Sequence, residues 1–129
     1  MKKHKPIPWE EREQKSFVRW VRQVHPELKI HHSPNGGHRH ILVAVSMKMM
    51  GTSRGFPDIL IFCRRRKIAM AIELKARQPH SSPVSQEQKE WLALFSHFGF
   101  HACVCRGAKE ASQAVSEVFG APHESKEQH

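Results

Sequence analysis

Residues 55–75 read GFPDILIFCRRRKIAMAIELK, and this stretch decides the fold of the chain. Two apolar, β-prone runs lie at residues 59–62 and 68–72, and the basic segment 63–67 separates them. Apolar runs joined by a short polar segment are typical of a β-hairpin. We therefore predict two antiparallel strands joined by a turn that carries Arg64, Arg65, Arg66 and Lys67.

The predicted hairpin brings three ionisable residues together. Asp58 begins the first strand, whereas Glu73 and Lys75 lie near the end of the second, and these two ends are adjacent in an antiparallel pair. Glu73 and Lys75 are two residues apart, so both side chains point to the same face of the sheet. Ionisable groups are seldom placed on a largely apolar hairpin without partners.

Metal-assisted phosphodiester hydrolysis is the chemistry that this pattern favours. Two carboxylates held close together repel each other unless a cation lies between them, and oxygen ligands suit Mg²⁺ or Mn²⁺. Such an ion polarises a phosphate and lowers the pKa of bound water. Lys75 would position the attacking water and offset charge in the transition state. The sequence thus predicts a metal site built on Asp58 and Glu73.

Each of these residues also has a structural interpretation. Asp58 follows Pro57 and could simply cap a turn. Glu73 could pair with Lys75 or Arg77. For each acid taken singly, the structural interpretation is at least as good as metal binding. The structural interpretations do not explain why both acids fall at touching strand ends.

Composition restricts the cell compartment and the partner. The chain has 129 residues, a formal net charge of +9 and eleven histidines, which favours a polyanion such as DNA as its partner. No apolar run approaches the ~20 residues of a membrane span, and the basic N-terminus is not followed by the apolar stretch of a signal peptide. Three cysteines without disulfide-scaffold spacing indicate a reducing cytoplasm. For Cys103 and Cys105, core packing is favoured over metal binding.

Periodicity and turn residues predict the order α-β-α-β-β-α-β-α. The helices are expected at residues 9–24, 40–50, 85–97 and 108–119, and the strands outside the hairpin at 28–32 and 100–105. Ser85 and Gln88 form a capping-box pattern at the start of the third helix. We expect a basic arm at residues 1–8, one domain at 9–120 and a polar tail at 121–129.

The chain resembles the VRR-NUC branch of the PD-(D/E)XK nuclease superfamily, in the small stand-alone form found in phages and bacteria. The resemblance rests on residues 10–14 (EEREQ), Asn35 in a Gly-rich loop, residues 48–58 (KMMGTSRGFPD), 72–76 (IELKA), 85–88 (SQEQ), Trp91, and Gly99 with Phe100. It implies an α/β fold with a restriction-endonuclease-like αβββαβ core, in which helices flank a central mixed sheet.

The resemblance also implies roles for individual residues. Asp58, Glu73, the backbone carbonyl of Leu74 and Glu10 would bind the metal, and Lys75 would complete the catalytic set. Glu10 matches the family's Glu-x-x-x-Gln pattern with Gln14, but Glu13 competes with it because acids crowd that turn. The helix macrodipole alone also favours acids there.

Predicted nucleic-acid contacts are Asn35, Arg39, Lys48, Arg54 and Gln88. Asn35 with its two glycines could let the backbone approach a phosphate, or could form a plain turn. Gln88 could act only in helix capping, or could also reach a phosphate or Lys75.

Two other features compete for a functional interpretation. His31, His32, His38 and His40 suggest zinc or an HNH nuclease, but adjacent histidines on a strand point to opposite faces, and DNA contact or solvent exposure is favoured. The four-residue basic turn lies at the opposite end of the strands from the carboxylates, so we do not expect it to be catalytic. It could help an oligomer form or bind a distant duplex arm.

These observations predict a Mg²⁺- or Mn²⁺-dependent DNA endonuclease in the cytoplasm of a bacterial or phage-infected cell. A homodimer would present two sites to duplex or branched DNA. The resemblance suggests branched targets such as Holliday junctions. The alternative is a non-catalytic nucleic-acid-binding module that retains the fold, against which the complete Asp-Glu-x-Lys set argues.

Overall fold

The computed structural model describes residues 9–33 and 41–120. Its elements are α1 (Trp9–Val24), β1 (Lys29–His32), α2 (Ile41–Met49), β2 (Ile59–Cys63), β3 (Ile68–Lys75), α3 (Gln86–His97), β4 (His101–Arg106) and α4 (Ala108–Phe119). The predicted order of elements is therefore confirmed, and without α2 and α4 it is the αβββαβ core. The predicted arm at 1–8, the tail at 121–129 and the loop with Asn35 and Arg39 lie outside the described residues.

The four strands form one open mixed sheet in the order β1-β2-β3-β4. β2 pairs antiparallel with both β1 and β3, and β4 pairs parallel with β3. The hairpin register sets Ile59 opposite Ile72 and Cys63 opposite Ile68. The apolar runs flanking the basic turn thus form the two central strands, as the sequence predicted.

One face of the sheet holds the main core beneath α1 and α4. Alternate residues of β2 and β3 point to it, and they are fully buried against side chains from both helices. This core contains Phe17 and Val21 of α1, Ile59, Ile61, Met70, Ile72 and Leu74 of the sheet, and Ala111, Val115 and Phe119 of α4. Cys103 and Cys105 of β4 also belong to it, so the prediction of core packing for them is confirmed.

The opposite face is covered by α3 through an aromatic cluster. Phe95 of α3 contacts Phe56, Trp91 and Phe100 at ring-centroid distances of 5.4, 6.1 and 4.8 Å. Phe62 of β2 extends the cluster to Phe100 at 5.9 Å. Such edge-to-face contacts stabilise beyond the area that they bury. They fix α3 on the face of the sheet to which Glu73 and Lys75 point.

Several apolar side chains of α2, and that of Met50 directly after it, are exposed to solvent. Val43 and Val45 are half exposed, and Met49 and Met50 are 82% and 77% exposed. The helix is inserted between β1 and β2 and is apolar apart from Ser46 and Lys48. Val43, Val45 and Met49 therefore add little to the core of the domain.

Candidate active site

The register of the hairpin sets Asp58 opposite Glu73. Asp58 directly precedes β2, and the pairing of Ile59 with Ile72 continues to these two residues. The Oδ2 atom of Asp58 accepts a hydrogen bond from the backbone N–H of Leu74 at 2.9 Å. Glu73 is only 4% exposed. The predicted convergence of the two carboxyl groups is thus present in the structure.

This proximity changes the protonation of both acids. Burial raises the pKa of Asp58, although the Leu74 N–H partly offsets that rise. Burial, and then the neighbouring Asp58, raises the pKa of Glu73 to about 8. Like charges that share a buried site disfavour double ionisation. Without a further cation, the pair therefore resists ionisation of both carboxyl groups at once.

Lys75 and Gln88 surround the same carboxyl group. The Nζ atom of Lys75 lies 3.9 Å from Glu73 Oε2, and its side chain is almost fully buried. Gln88 donates from Nε2 to that oxygen at 2.8 Å. The other oxygen, Oε1, is buried and has no hydrogen-bond donor among the described residues. Glu73 thus has one satisfied oxygen and one that requires a proton or a cation.

The predicted capping box is confirmed and serves the site at the same time. Ser85 Oγ accepts from the backbone N–H of Gln88 at 3.1 Å, and the Ser85 N–H donates to Gln88 Oε1 at 2.8 Å. The amide oxygen of Gln88 therefore caps the helix while its nitrogen reaches Glu73. Gln88 was expected either to cap the helix only or also to reach a phosphate or Lys75. In the structure it caps the helix and also contacts a catalytic candidate, which is Glu73 rather than Lys75.

Gly55 sets the distance between α3 and the strands. It has a φ of +83°, and a Cβ at this position would lie 2.6 Å from the backbone carbon of Glu87 and 2.7 Å from the nitrogen of Gln88. Only glycine permits this approach without strain. The first turn of α3 is thereby packed directly on the loop that leads into Asp58.

Glu10 and Glu13 have different surroundings. Glu13 Oε1 accepts from the backbone N–H of Ala108 at 2.9 Å, and its Oε2 lies 3.1 Å from Arg77 Nε. It therefore caps α4, whose N-cap Gly107 offers no side chain. Glu10 is exposed, its charge is near enough to raise the pKa of Glu73, and Ser82 donates to it at 3.5 Å. The structure leaves Glu10 as the α1 carboxylate that faces the site.

The loop after β3 connects Glu10 to the sheet. Arg106 of β4 lies beside Lys75 in the register, and its guanidinium donates to Ser81 Oγ and to the Ser82 carbonyl. Ser82 in turn contacts Glu10. No local pattern predicts these contacts, because Glu10, Ser82 and Arg106 are distant in sequence and meet only where the loop crosses between them.

His32 is a site neighbour that sequence reasoning missed. Its Nδ1 lies 3.1 Å from the Asp58 carbonyl oxygen, and its charge lowers the pKa of Asp58. His32 is exposed, as expected, but its contact with Asp58 was not predicted from the sequence. The pairing of β1 with β2, which sets His32 opposite Ile59, is what brings it there.

The family comparison agrees with this geometry. The family model of the VRR-NUC domain matches residues 3–109, which is most of the chain. This chain belongs to the VRR-NUC family. A solved structure titled "VRR_NUC domain protein" has a similar fold, with a TM-score of 0.67 and 21% sequence identity over 92% of this chain and 93% of that one. The search of curated proteins found no match to this chain.

Membership confirms the nuclease-like class and, with the sheet described above, the α/β fold. The VRR-NUC family belongs to the PD-(D/E)XK superfamily, and its nuclease domains act on DNA. In this VRR-NUC domain the segment 72–75 (IELK) lies in β3 and carries Glu73 and Lys75. Within the described part of the chain, no helix is long and apolar enough to cross a membrane.

Of the predicted DNA contacts in this VRR-NUC domain, Lys48, Arg54 and Gln88 fall within the described residues. Lys48 is exposed on α2, and Arg54 is exposed in the loop before Gly55. In the basic turn, Arg66 has a structural contact, because it donates to the carbonyl of Phe119 at the end of α4 at 2.8 Å. Among these three described residues, Gln88 contacts a carboxylate of the site directly, at Glu73 Oε2.

Three or more metal-binding side chains do not converge in the part of the chain that the structure describes. The available set is the pair Asp58 and Glu73, with Glu10 nearby and the backbone of Leu74 against Asp58. The pair nevertheless suits a hard cation, since it combines two adjacent carboxylates with the orphaned Glu73 oxygen.

Proposed function

We propose that this VRR-NUC domain is a divalent-metal-dependent DNA endonuclease that hydrolyses phosphodiester bonds. The observation that carries the proposal is the buried pair of Asp58 and Glu73 with Lys75 beside it. Such a constellation costs stability, because both acids are desolvated and repel each other. Its presence on the central strands of a nuclease-family domain is explained if it performs the reaction.

In this proposal, Asp58 and Glu73 hold Mg²⁺ or Mn²⁺, assisted by the Leu74 carbonyl and by Glu10. The unsatisfied Glu73 oxygen supports this assignment, since a cation would give Oε1 the partner that it lacks among the described residues. When bound, the ion would polarise the scissile phosphate and lower the pKa of a bound water.

Neighbouring residues orient the two carboxyl groups, and Lys75 offsets negative charge. The Leu74 N–H fixes one Asp58 oxygen, and Gln88 fixes one Glu73 oxygen. Lys75 is nearly buried, so its ammonium acts in surroundings of low dielectric constant, where its charge is screened less than in water. It would hold the attacking water and stabilise negative charge that develops on the phosphate.

DNA is the proposed substrate, and branched DNA such as a Holliday junction is the proposed preferred form. The net charge of +9 supports phosphate contact, to which exposed Lys48 and Arg54 would contribute, with Asn35 and Arg39 as further candidates. A homodimer would present two sites to such a target. The exposed apolar side chains of α2 support it, since burying Met49 and Met50 against a second copy would remove them from water.

The test is a cleavage assay on linear, flapped and four-way DNA with and without Mn²⁺. Asp58→Asn keeps an oxygen that can accept from Leu74 but removes the charge, so cleavage and Mn²⁺ binding by calorimetry should both be lost. Glu117→Gln, which neutralises an exposed acid on α4, is the matched control and should cleave normally.

The outcomes separate two functions. If Asp58→Asn cuts as fast as the unmodified protein, the metal site is misassigned. If the unmodified protein binds these DNAs but cuts none of them in Mn²⁺ or Mg²⁺, the alternative of a non-catalytic binding module holds.

A further inference from the structure

A groove lies between α1 and α4, beside the end of β3. It has a volume of about 570 Å³, and its walls include Trp9, Arg12, Arg77 and Lys109. We refer to it as the α1–α4 groove. It is separate from the carboxylate pair, because Glu73 and Lys75 point to the other face of the sheet, toward α3. The reaction proposed above therefore leaves this groove without a role.

An aromatic stack stands at the mouth of the α1–α4 groove. The rings of Trp9 and His80 are stacked with centroids 4.2 Å apart and 13° between their planes. The guanidinium carbons of Arg12 and Arg77 lie 5.1 and 5.8 Å from the centroid of Trp9. His80 is exposed, so the ring face directed away from Trp9 is open to a further flat group.

The residues that line the α1–α4 groove carry an excess of positive charge, with Arg12, Arg77 and Lys109 against Glu13. Arg77 is paired with Glu13, whose other oxygen is occupied by Ala108, so the single acid in the groove is already neutralised within the fold. Arg12 and Lys109 are exposed and form no ion pair within the described ranges 9–33 and 41–120. Two cations are thus left for an external anion.

The α1–α4 groove begins where the proposed active site ends. The Gly107 N–H donates to the Lys75 carbonyl at 2.8 Å, so the N-cap residue of α4 lies beside the last residue of β3. Arg77 follows Lys75 by two residues, which sets their Cα atoms at most about 7 Å apart. Trp9 is next to Glu10. A DNA strand that passes the carboxylate pair would therefore meet this groove within a few nucleotides.

Stacking rings combined with cations are the means by which proteins hold single-stranded nucleic acid, since every base has a flat face and every linkage a charge. A paired base inside a duplex cannot stack on a protein ring, because its own neighbours cover both faces. We propose that the α1–α4 groove binds an unpaired DNA strand continuous with the scissile strand, with a base on the Trp9–His80 stack and phosphates at Arg12 and Lys109. This rests on the proposed nuclease function and adds that, among branched targets, those with an unpaired strand such as a flap engage the groove, whereas a fully paired four-way junction does not.

The test compares two DNAs by fluorescence anisotropy in a chelator, so that cleavage cannot interfere. One is a blunt duplex, and the other is the same duplex with a thymidine extension of about ten nucleotides. The unmodified protein should bind the extended DNA at least ~10-fold more tightly, which corresponds to the stacking of about one base. Arg12→Glu with Lys109→Glu should remove this preference.

The matched control is Lys29→Glu with Arg64→Glu. It makes the same change in net charge on exposed residues at the opposite end of the strands, and it should weaken both DNAs equally, so that the preference remains. A second variant guards against misfolding. Trp9→Ala should lose the preference, whereas Trp9→Phe, which retains a ring, should keep most of it.

Two results would overturn the inference. One is an unmodified protein that binds both DNAs equally, and the other is a preference that survives both Trp9→Ala and the double reversal of Arg12 and Lys109. Because binding is measured without metal, these results are independent of cleavage. A protein that cuts DNA but shows no preference refutes only the groove, whereas one that shows the preference but never cuts refutes only the nuclease.

Discussion

Gln88 Nε2 lies 2.8 Å from Glu73 Oε2, and this contact joins the first turn of α3 to the centre of the sheet. The same side chain closes the capping box of α3 through its amide oxygen. Gln88 therefore contributes both to the capping of α3 and to the orientation of the Glu73 carboxyl group. A change at Gln88 should be felt both in stability and in catalysis, and the two effects can be separated.

We expect Gln88→Ala to slow cleavage about tenfold, because a hydrogen bond to a charged group is worth roughly 1.5–3 kcal/mol and each ~1.4 kcal/mol is tenfold in rate. It should also lower the free energy of unfolding by about 1 kcal/mol through loss of the cap. Ser85→Ala removes the other half of the box without touching Glu73, so it should lose similar stability in urea titrations. Equal cleavage rates for the two variants would show that the Glu73 contact has no catalytic value.

Gly55→Ala should destabilise the domain and slow cleavage together. The new Cβ would collide with the backbone of Glu87 and Gln88, and a non-glycine residue at a φ of +83° adds about 1–2 kcal/mol of strain. Gly51→Ala is the control, since Gly51 also has a positive φ but an added Cβ would meet nothing within 4 Å. Denaturation midpoints should fall further for Gly55→Ala. If the two variants match in stability and rate, the close approach does not position α3.

Lys75→Ala should retain Mn²⁺ binding and DNA binding but lose at least ~100-fold in cleavage rate, about 2.7 kcal/mol of transition-state stabilisation. Lys75→Arg should rescue it poorly, because a planar fork cannot occupy the point of a compact ammonium. Lys89→Ala, which removes an exposed lysine from α3, is the control for general charge loss. Single-turnover cleavage rates of these variants are compared with that of the unmodified protein. A normal rate for Lys75→Ala would contradict the role proposed for Lys75 but not the nuclease function.

The raised pKa of Glu73 predicts how stability depends on pH without metal. Its pKa is about 8 in the folded protein, against 4.5 as the ordinary value, so between these values the folded state holds a proton that the unfolded state lacks. Stability from this group is therefore complete below about pH 4.5 and is lost as the pH rises toward 8. Thermal melts in EDTA should show this loss, and Glu73→Gln, which cannot ionise, should show a smaller decline over the same range. Identical profiles would contradict the shift.

The sequence predicts the carboxylate pair because everything needed is local. The two strands, their turn and the two-residue periodicity lie within residues 58–75, and pairing the strands brings Asp58 to Glu73. The choice between Glu10 and Glu13 is not local, since it depends on Ala108, which is distant in sequence. The one available signal was Gly107, an N-cap without a side chain, whose helix needs an acceptor from elsewhere.

The contacts of His32 and Gln88 depend on how distant elements dock. A histidine at the end of a predicted strand does not reveal which strand it will pair with, and so the proximity of His32 to Asp58 follows only from the β1–β2 register. The capping box could be predicted from the sequence because Ser85 and Gln88 are three residues apart. Its second use, toward Glu73, required the packing of α3 at Gly55, which no periodicity encodes.

The packing of α1 against α4 has a consequence for the synthesis of this protein. Phe17 and Val21 are made early, yet the helix that covers them supplies Ala111, Val115 and Phe119 about a hundred residues later. A growing chain on the ribosome therefore cannot close its core, nor anchor Glu13 on Ala108, until translation has passed Phe119. The proposed activity would in this way appear only after α4 has been synthesised and has packed against α1.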